Sequence, residues 1–234
     1  MGRIGLKRPL AEFVAIFAGV TLSLVADDWR THRIDAADER SALELIHRDL
    51  VADSAELAFA LRHPVRHERA GLWLREHWDS PDIRTDTIGL VLRPYLFANS
   101  YQLQRAAFTS LKESDRLTLI RNDTLRVAVI QYYEEAQINA DQFLTGFGDE
   151  REETLKSLSR YIRWPEPRDS LQAWPVSGPM ELMVPWDSVR RDNELYNRIA
   201  SNGAIARLAQ ELGEDAQLAN YELRQAIMAE LGRQ

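Results

Sequence analysis

All five histidines lie between residues 32 and 77, at positions 32, 47, 63, 67 and 77. Clustered imidazoles are the raw material of a metal site, so this is the first chemistry to test. His63 and His67 have the i,i+4 spacing that puts two ligands on one helical face, but Pro64 between them works against a shared helix. Glu68 follows His67 with no second histidine three residues on, so the zinc-protease pattern fails. Glu44-Leu45-Ile46-His47 has the Glu-x-x-His spacing of di-iron bundles. Such a centre needs a second copy and two further glutamates on facing helices, and the chain has no second copy. The expectation is therefore no metal and no cofactor, with solvated histidines near an arginine-rich face. A small anion-binding face of Arg62, Arg66 and Arg69 with His63 and His67 is the sharper alternative.

Other chemistry is thinner. The chain has no Gly-rich phosphate loop, no G-x-S-x-G elbow and no dinucleotide fingerprint. Glu134-Glu135 and Glu152-Glu153 are neighbours on the chain, about 100° apart on a helix, and make no carboxylate dyad. Tyr132 and Tyr133 read as core and rim aromatics. The absence of cysteine removes disulfides, thiolate zinc sites and thiol nucleophiles together. No enzyme is expected from these residues.

Charge narrows the partners. Without Arg3, Lys7, Arg8 and Glu12, the chain keeps 26 basic and 35 acidic residues. A domain this acidic is a poor nucleic-acid binder, because phosphate contacts need clustered Lys and Arg. Apolar residues make up 45% of the chain, enough to bury a real core.

The elements that would carry any site are helical. Phe13 to Ala26 runs FVAIFAGVTLSLVA without a charge, and Leu10 and Ala11 extend it across Glu12. Residues 10–26 form about 25 Å of helix against a hydrocarbon core of about 30 Å. The reading is a transmembrane helix after a short cytoplasmic stretch, residues 1–9. Lys7 and Arg8 would snorkel at one interface and Trp29 would sit at the other. A cleaved signal peptide and a buried core helix are the competing readings. The basic start favours an inside N-terminus and an exported domain at a bacterial inner membrane. Ala11, Ala15, Gly19 and Ser23 form a small-residue stripe that lets helices pack closely in lipid. Self-association or pairing with another membrane protein through this stripe stands against its being incidental.

From Gly19 to Pro64 there is no Pro or Gly, and Leu43, Ile46, Leu50, Ser54, Leu57 and Leu61 keep three- and four-residue spacings. That pattern predicts one long bundle helix, ended by Pro64. Shorter helices are expected over 65–78, 85–97 and 100–112. A longer one is expected from an Asn122-Asp123 cap to about Ile162, kinked or split at Gly146 and Gly148. Five prolines between Trp164 and Trp186 predict an extended strap within 163–187. Its Trp174, Met183 and Trp186 either pack on the bundle or offer a partner surface. Helical segments over 189–231, with breaks at Gly203 and Gly213, close an all-α soluble domain spanning 27–234.

Two blocks add a resemblance. Glu12 to Trp29, with Gly19 between and a polar pair before the tryptophan, resembles the N-terminus of a widespread bacterial family of single-pass membrane proteins of unknown function. Tyr101, Leu111, Leu119-Ile120, Leu125 and Tyr132-Tyr133 resemble a second block of that family. Its members carry asparagines where this chain has Asp27-Asp28, and often a glycine near Ser114. The resemblance implies a single anchor and a helical domain, and no activity. The expected function is that of an interaction or accessory protein at the membrane; a small-ligand sensory domain signalling through a membrane partner is the alternative.

Overall fold

A computed structural model describes residues 7–81, 83–96, 102–163 and 181–233, with the side chains of 7–16, 18, 85 and 96 outside that description. The domain is all-α. It is built on three rods, and the longest begins as α1, Lys7–Ala60, an unbroken helix of 54 residues or about 80 Å. A single turn at Leu61 leads into α2, Arg62–His77. The long helix ends at Ala60, just ahead of Pro64 as expected, yet Pro64 itself is helical. It occupies the first turn of α2, where backbone N–H groups have no intrahelical acceptor and a missing one costs nothing.

The second rod is α5 (Asp123–Gln131), a π turn (Tyr132–Ala136) and α6 (Gln137–Leu158) in continuous succession. Asn122 caps it as its side chain suggests, Oδ1 accepting the Leu125 N–H at 3.2 Å. Gly146 and Gly148 leave the helix intact; the irregularity sits one turn into the core, at the tyrosine pair. The third rod is α8, Asn193–Leu231, capped by Asp192 and running straight through Gly203 and Gly213.

Gly213 serves contact, not breakage, whereas a Cβ on Gly203 would meet nothing. A Cβ on Gly213 would drive into the Leu61 side chain, and one on Gly71 of α2 would meet the Ile199 carbonyl at 3.6 Å. Thus α8 crosses both α2 and the end of α1 at close range. Glu39 lies beside Arg121, whereas Asn122 meets Glu230 at the far end of α8. The first two rods are therefore parallel and α8 is antiparallel to both.

Parallel rods need a return path. It runs through α3 (Thr85–Val91), a 3-10 turn (Arg93–Leu96), α4 (Ala106–Glu113) and a second 3-10 turn (Arg116–Leu119). Acidic side chains of α1 fasten it: Asp49 Oδ2 accepts the Ala107 N–H at 2.9 Å and Glu39 Oε1 the Arg121 N–H at 2.8 Å. At the other end, β1 (Ile162–Arg163) pairs antiparallel with β2 (Glu181–Leu182), and α7 (Trp186–Val189) leads into α8. The stretch between β1 and β2, with Trp164 and Trp174, lies outside the described residues.

Apolar packing follows this frame in three stacked clusters. Leu43, Ile46, Leu50, Phe108 and Ile227 fill the base, Leu57, Leu144, Phe147 and Ala206 the middle, and Leu74, Ile88, Trp186 and Ile199 the top. Among the described residues no helix has a stretch long and apolar enough to cross a membrane. Of the expected span, residues 10–26, the side chains of 10–16 and 18 lie outside the description.

Candidate functional site

The long stripe of α1 carries one residue that does not belong in an apolar core. Asp53 stands three residues after Leu50 and four before Leu57, and it is fully buried. Ser54, the expected core position, is only half-buried. Asp53 Oδ1 accepts the Gln104 backbone N–H at 2.5 Å. Its Oδ2 accepts the Tyr132 hydroxyl at 3.1 Å and the Gln137 side-chain amide at 2.9 Å. Asn220 of α8 donates through Nδ2 to the Leu50 carbonyl at 2.9 Å and to the Tyr132 oxygen at 3.1 Å. The second rod and the return path therefore meet at the Asp53 carboxylate, and α8 joins them through Tyr132.

A π turn falls at this point of the second rod. Here Tyr132 and Tyr133 are both buried, with rings edge to face at 4.9 Å, and Tyr133 stacks on Phe108 at 4.6 Å. Burial pushes both phenols well above their ordinary range. Burial likewise raises the Asp53 carboxyl from 3.8 to about 6, against the three hydrogen bonds that favour its charge; the neighbouring Asp49 adds to the rise.

A second buried polar layer lies about 20 Å further along the same rod. His67 is fully buried, a correction to the solvated histidine expected from sequence, and it is closed off from any anion-binding face. Its Nε2 lies 2.9 Å from the Pro94 carbonyl, so Nε2 carries the proton and donates. Its Nδ1 lies 3.2 Å from Asn202 Oδ1, an acceptor facing an acceptor while the ring is neutral; turning the amide over would let Nδ2, which has no partner, donate to Nδ1. The ring packs against Tyr95 at 4.5 Å and Phe147 at 4.9 Å. Burial lowers its pKa from 6.5 to about 4, with the charges of His63 and Arg151 acting in the same sense.

Neither layer is an active site in form. Asp53 and His67 are both enclosed, with their polar atoms turned to their own chain, and the Tyr133 and Tyr95 hydroxyls are buried without a partner. Among the described residues, no three His, Asp or Glu side chains come together as a metal site. Glu44 is held by Arg40 at 3.0 Å instead of facing His47.

On the far side of Tyr132 the surface opens into a groove of about 530 Å³ between the α5–α6 rod and α8. Ala128 and Ala136 line one wall and Ala219 and Ala226 the other, with Leu212 and Leu223 beneath. Glu135, Asp215 and Glu222 border it, and no lysine or arginine does. This groove was not legible beforehand, because it depends on which two helix faces meet.

The residues singled out from sequence are scattered. Gly19 and Ser23 are exposed on α1, while the side chains of Ala11, Ala15, Lys7 and Arg8 lie outside the description. Trp29 is 61% exposed, with the Arg33 guanidinium 4.8 Å from its ring. Met183 is 52% exposed, and its N–H donates to the Tyr161 carbonyl at 2.8 Å. Trp186 corrects the expected partner surface: only 5% exposed, it packs edge to face on Trp78 at 5.1 Å and donates to the Trp78 carbonyl. Trp174 lies outside the described residues. No family model, curated protein or solved structure matches the chain.

Proposed function

We propose that the chain is a membrane-anchored, non-enzymatic interaction protein whose helical domain is held at a bilayer surface by the first part of α1. One observation carries this reading. Every described residue from Phe17 to Ile34 is exposed on all sides of the helix, including Phe17 at 64%, Leu22 at 69% and Trp29 at 61%. Soluble domains rarely leave so much contiguous apolar surface in water. Lipid covers it in this reading, with residues 10–26 as the span and Trp29 with Arg33 at the interface. Burial against the domain starts only at Asp35 and becomes complete at Glu39, so the anchor and the bundle are successive lengths of one rod.

The resemblance to single-pass bacterial proteins supports the same reading. Asp115 takes a left-handed conformation, φ 55°, beside the position where that family often has glycine. The orientation proposed is an N-terminus inside and a domain outside the bacterial inner membrane, with Gly19 and Ser23 on the small-residue stripe. The sensory alternative draws less support, because the depressions at α4, at the α6–α8 groove and beside Trp73 are open to solvent.

Cell fractionation tests the anchor. The full-length chain is expected in the membrane pellet after an alkaline carbonate wash, and in the detergent extract afterwards. Recovery of the uncleaved chain in the aqueous fraction without detergent overturns the proposal.

A further inference from the structure

We infer that the groove between the α5–α6 rod and α8 seats a basic amphipathic helix from a partner protein. The inference rests on the interaction reading above and names the chemistry of its partner. Three rods leave faces that a fourth helix can complete, as in four-helix bundles. One such face, between α1 and the α5–α6 rod, is already crossed by the return path, whose Ala107 and Arg121 N–H groups bond to α1 and whose Phe108 stacks on Tyr133. The face between α6 and α8 is open.

Shape and charge both select the occupant. Ala128, Ala136, Ala219 and Ala226 keep the walls low, so a second backbone can approach to the 8–10 Å spacing of packed helices. From Leu212 to Ala226 the groove follows α8 for about 21 Å, four turns of an incoming helix. Leu218, 58% exposed, stands on the same face of α8 between Asp215 and Glu222, an apolar side chain with nothing to cover it. Glu135, Asp215 and Glu222 are all exposed and, among the described residues, none forms an ion pair with a base. The neighbouring surface of α8 is different: Glu211 is held by Arg207 at 3.0 Å and Glu214 by Gln210 at 2.8 Å. Along α8 the described acids without such a partner are Asp215 and Glu222, the two that border the groove. A helix with small apolar residues on one side and Lys or Arg along both flanks satisfies that rim and covers that floor. Confinement of both partners to one membrane lets a modest affinity suffice.

The test uses the full chain in phosphatidylcholine nanodiscs and a labelled synthetic helix of about sixteen residues, Ala and Leu on one face and Lys on the flanks. Its twin carries Glu in place of every Lys, and empty nanodiscs are the blank. Fluorescence anisotropy is expected to show the basic helix binding at least about tenfold more tightly than the acidic twin. Asp215→Lys with Glu222→Lys, both on the surface and harmless to the core, is expected to reverse that preference. Ala219→Phe fills the groove from its α8 wall and is expected to abolish binding of either peptide, with circular dichroism confirming the fold. Equal binding of both peptides, or a preference that the charge reversal leaves unchanged, overturns the inference. So does a dimer of the chain that Ala219→Phe dissociates, since the groove then seats a second copy. Fractionation separates the two readings: if the variants stay in the membrane pellet yet never respond to the basic helix, only the groove reading fails.

Discussion

Asp53 and His67 give the domain two buried titrations of opposite sign. The folded state holds the Asp53 proton more tightly than the unfolded chain, because burial raises its carboxyl from 3.8 to about 6. Its contribution to stability is therefore complete below pH 3.8 and is lost as pH rises through 6, a loss of about 3 kcal/mol for a shift of about two units. His67 runs the other way. Its folded pKa is lowered from 6.5 to about 4, so the unfolded chain binds the proton more tightly. Its contribution is complete above pH 6.5 and disappears as pH falls through 4, again about 3 kcal/mol. Between pH 4 and 6.5 the two slopes nearly cancel, and a flat profile conceals both.

Single substitutions expose them. Asp53→Asn is close in shape to the neutral acid and cannot ionise, so its stability is expected to climb by about 3 kcal/mol from pH 4 to pH 6.5 while the parent stays level. His67→Gln keeps one donor for the Pro94 carbonyl and one acceptor for Asn202. Its stability is expected to fall over the same interval. Urea midpoints followed by far-ultraviolet circular dichroism, at fixed ionic strength in micelles, read both slopes. Differences against the parent remove the contribution of every other carboxylate, including Asp192, which the Tyr161 hydroxyl and Leu195 N–H hold below its ordinary range. If Asp53→Asn tracks the parent within about 0.5 kcal/mol across the interval, Asp53 ionises as it would in water and the reasoning is wrong.

Two further substitutions probe the packing. Gly213→Ala puts a methyl group into Leu61 at the crossing of α8 with the α1–α2 junction, and is expected to cost about 1–3 kcal/mol, read as a lower melting temperature. An unchanged melting point would mean that α8 stands off from that junction. Trp186→Ala empties the top of the core and strips Trp78 of its edge-to-face partner, for an expected loss of about 3–5 kcal/mol. If instead it leaves stability intact and weakens only a binding reaction, Trp186 serves a partner surface after all.

Much of the architecture was legible because helical periodicity is a local signal. The spacing of Leu43, Ile46, Leu50, Leu57 and Leu61 reports the buried face of α1, and all five are buried. Asn122 caps its helix because its side-chain chemistry is local too. What failed depended on tertiary context. Pro64, Gly203 and Gly213 were read by their intrinsic preferences. A helix start tolerates the proline, and close crossing rewards the Gly213 position more than chain entropy penalises it. His67 looked solvated because its arginine neighbours in sequence face outward from α2 while it faces in. The polar layers did leave a signal. Asp53, Asn202 and Asn220 each fall on the three-and-four spacing of an apolar stripe, so a polar residue at a core position was visible in advance. Nothing in one sequence says which rods meet at such a position, and so neither the Asp53 layer nor the groove beside it was foreseeable.

The two polar layers also account for why this bundle has one register. An apolar stripe of Leu, Ile and Ala tolerates sliding by a turn, since one methyl-lined hole resembles the next. Asp53 does not tolerate it. Moving α8 by one turn takes Asn220 away from the Leu50 carbonyl and from Tyr132. Moving the second rod takes both Tyr132 and Gln137 from Asp53, leaving a buried carboxylate short of donors at a cost of several kcal/mol. His67 imposes the same condition on Asn202 further along α8. Two constraints on one 39-residue helix, placed on opposite sides of Gly213, fix its axial position and forbid a compensating bend between them. The desolvation of Asp53 thus lowers stability at neutral pH while it excludes the slipped alternatives. A neutral Asn at this position removes the ionisation, but its single oxygen cannot accept all three donors, so the register loses part of what fixes it.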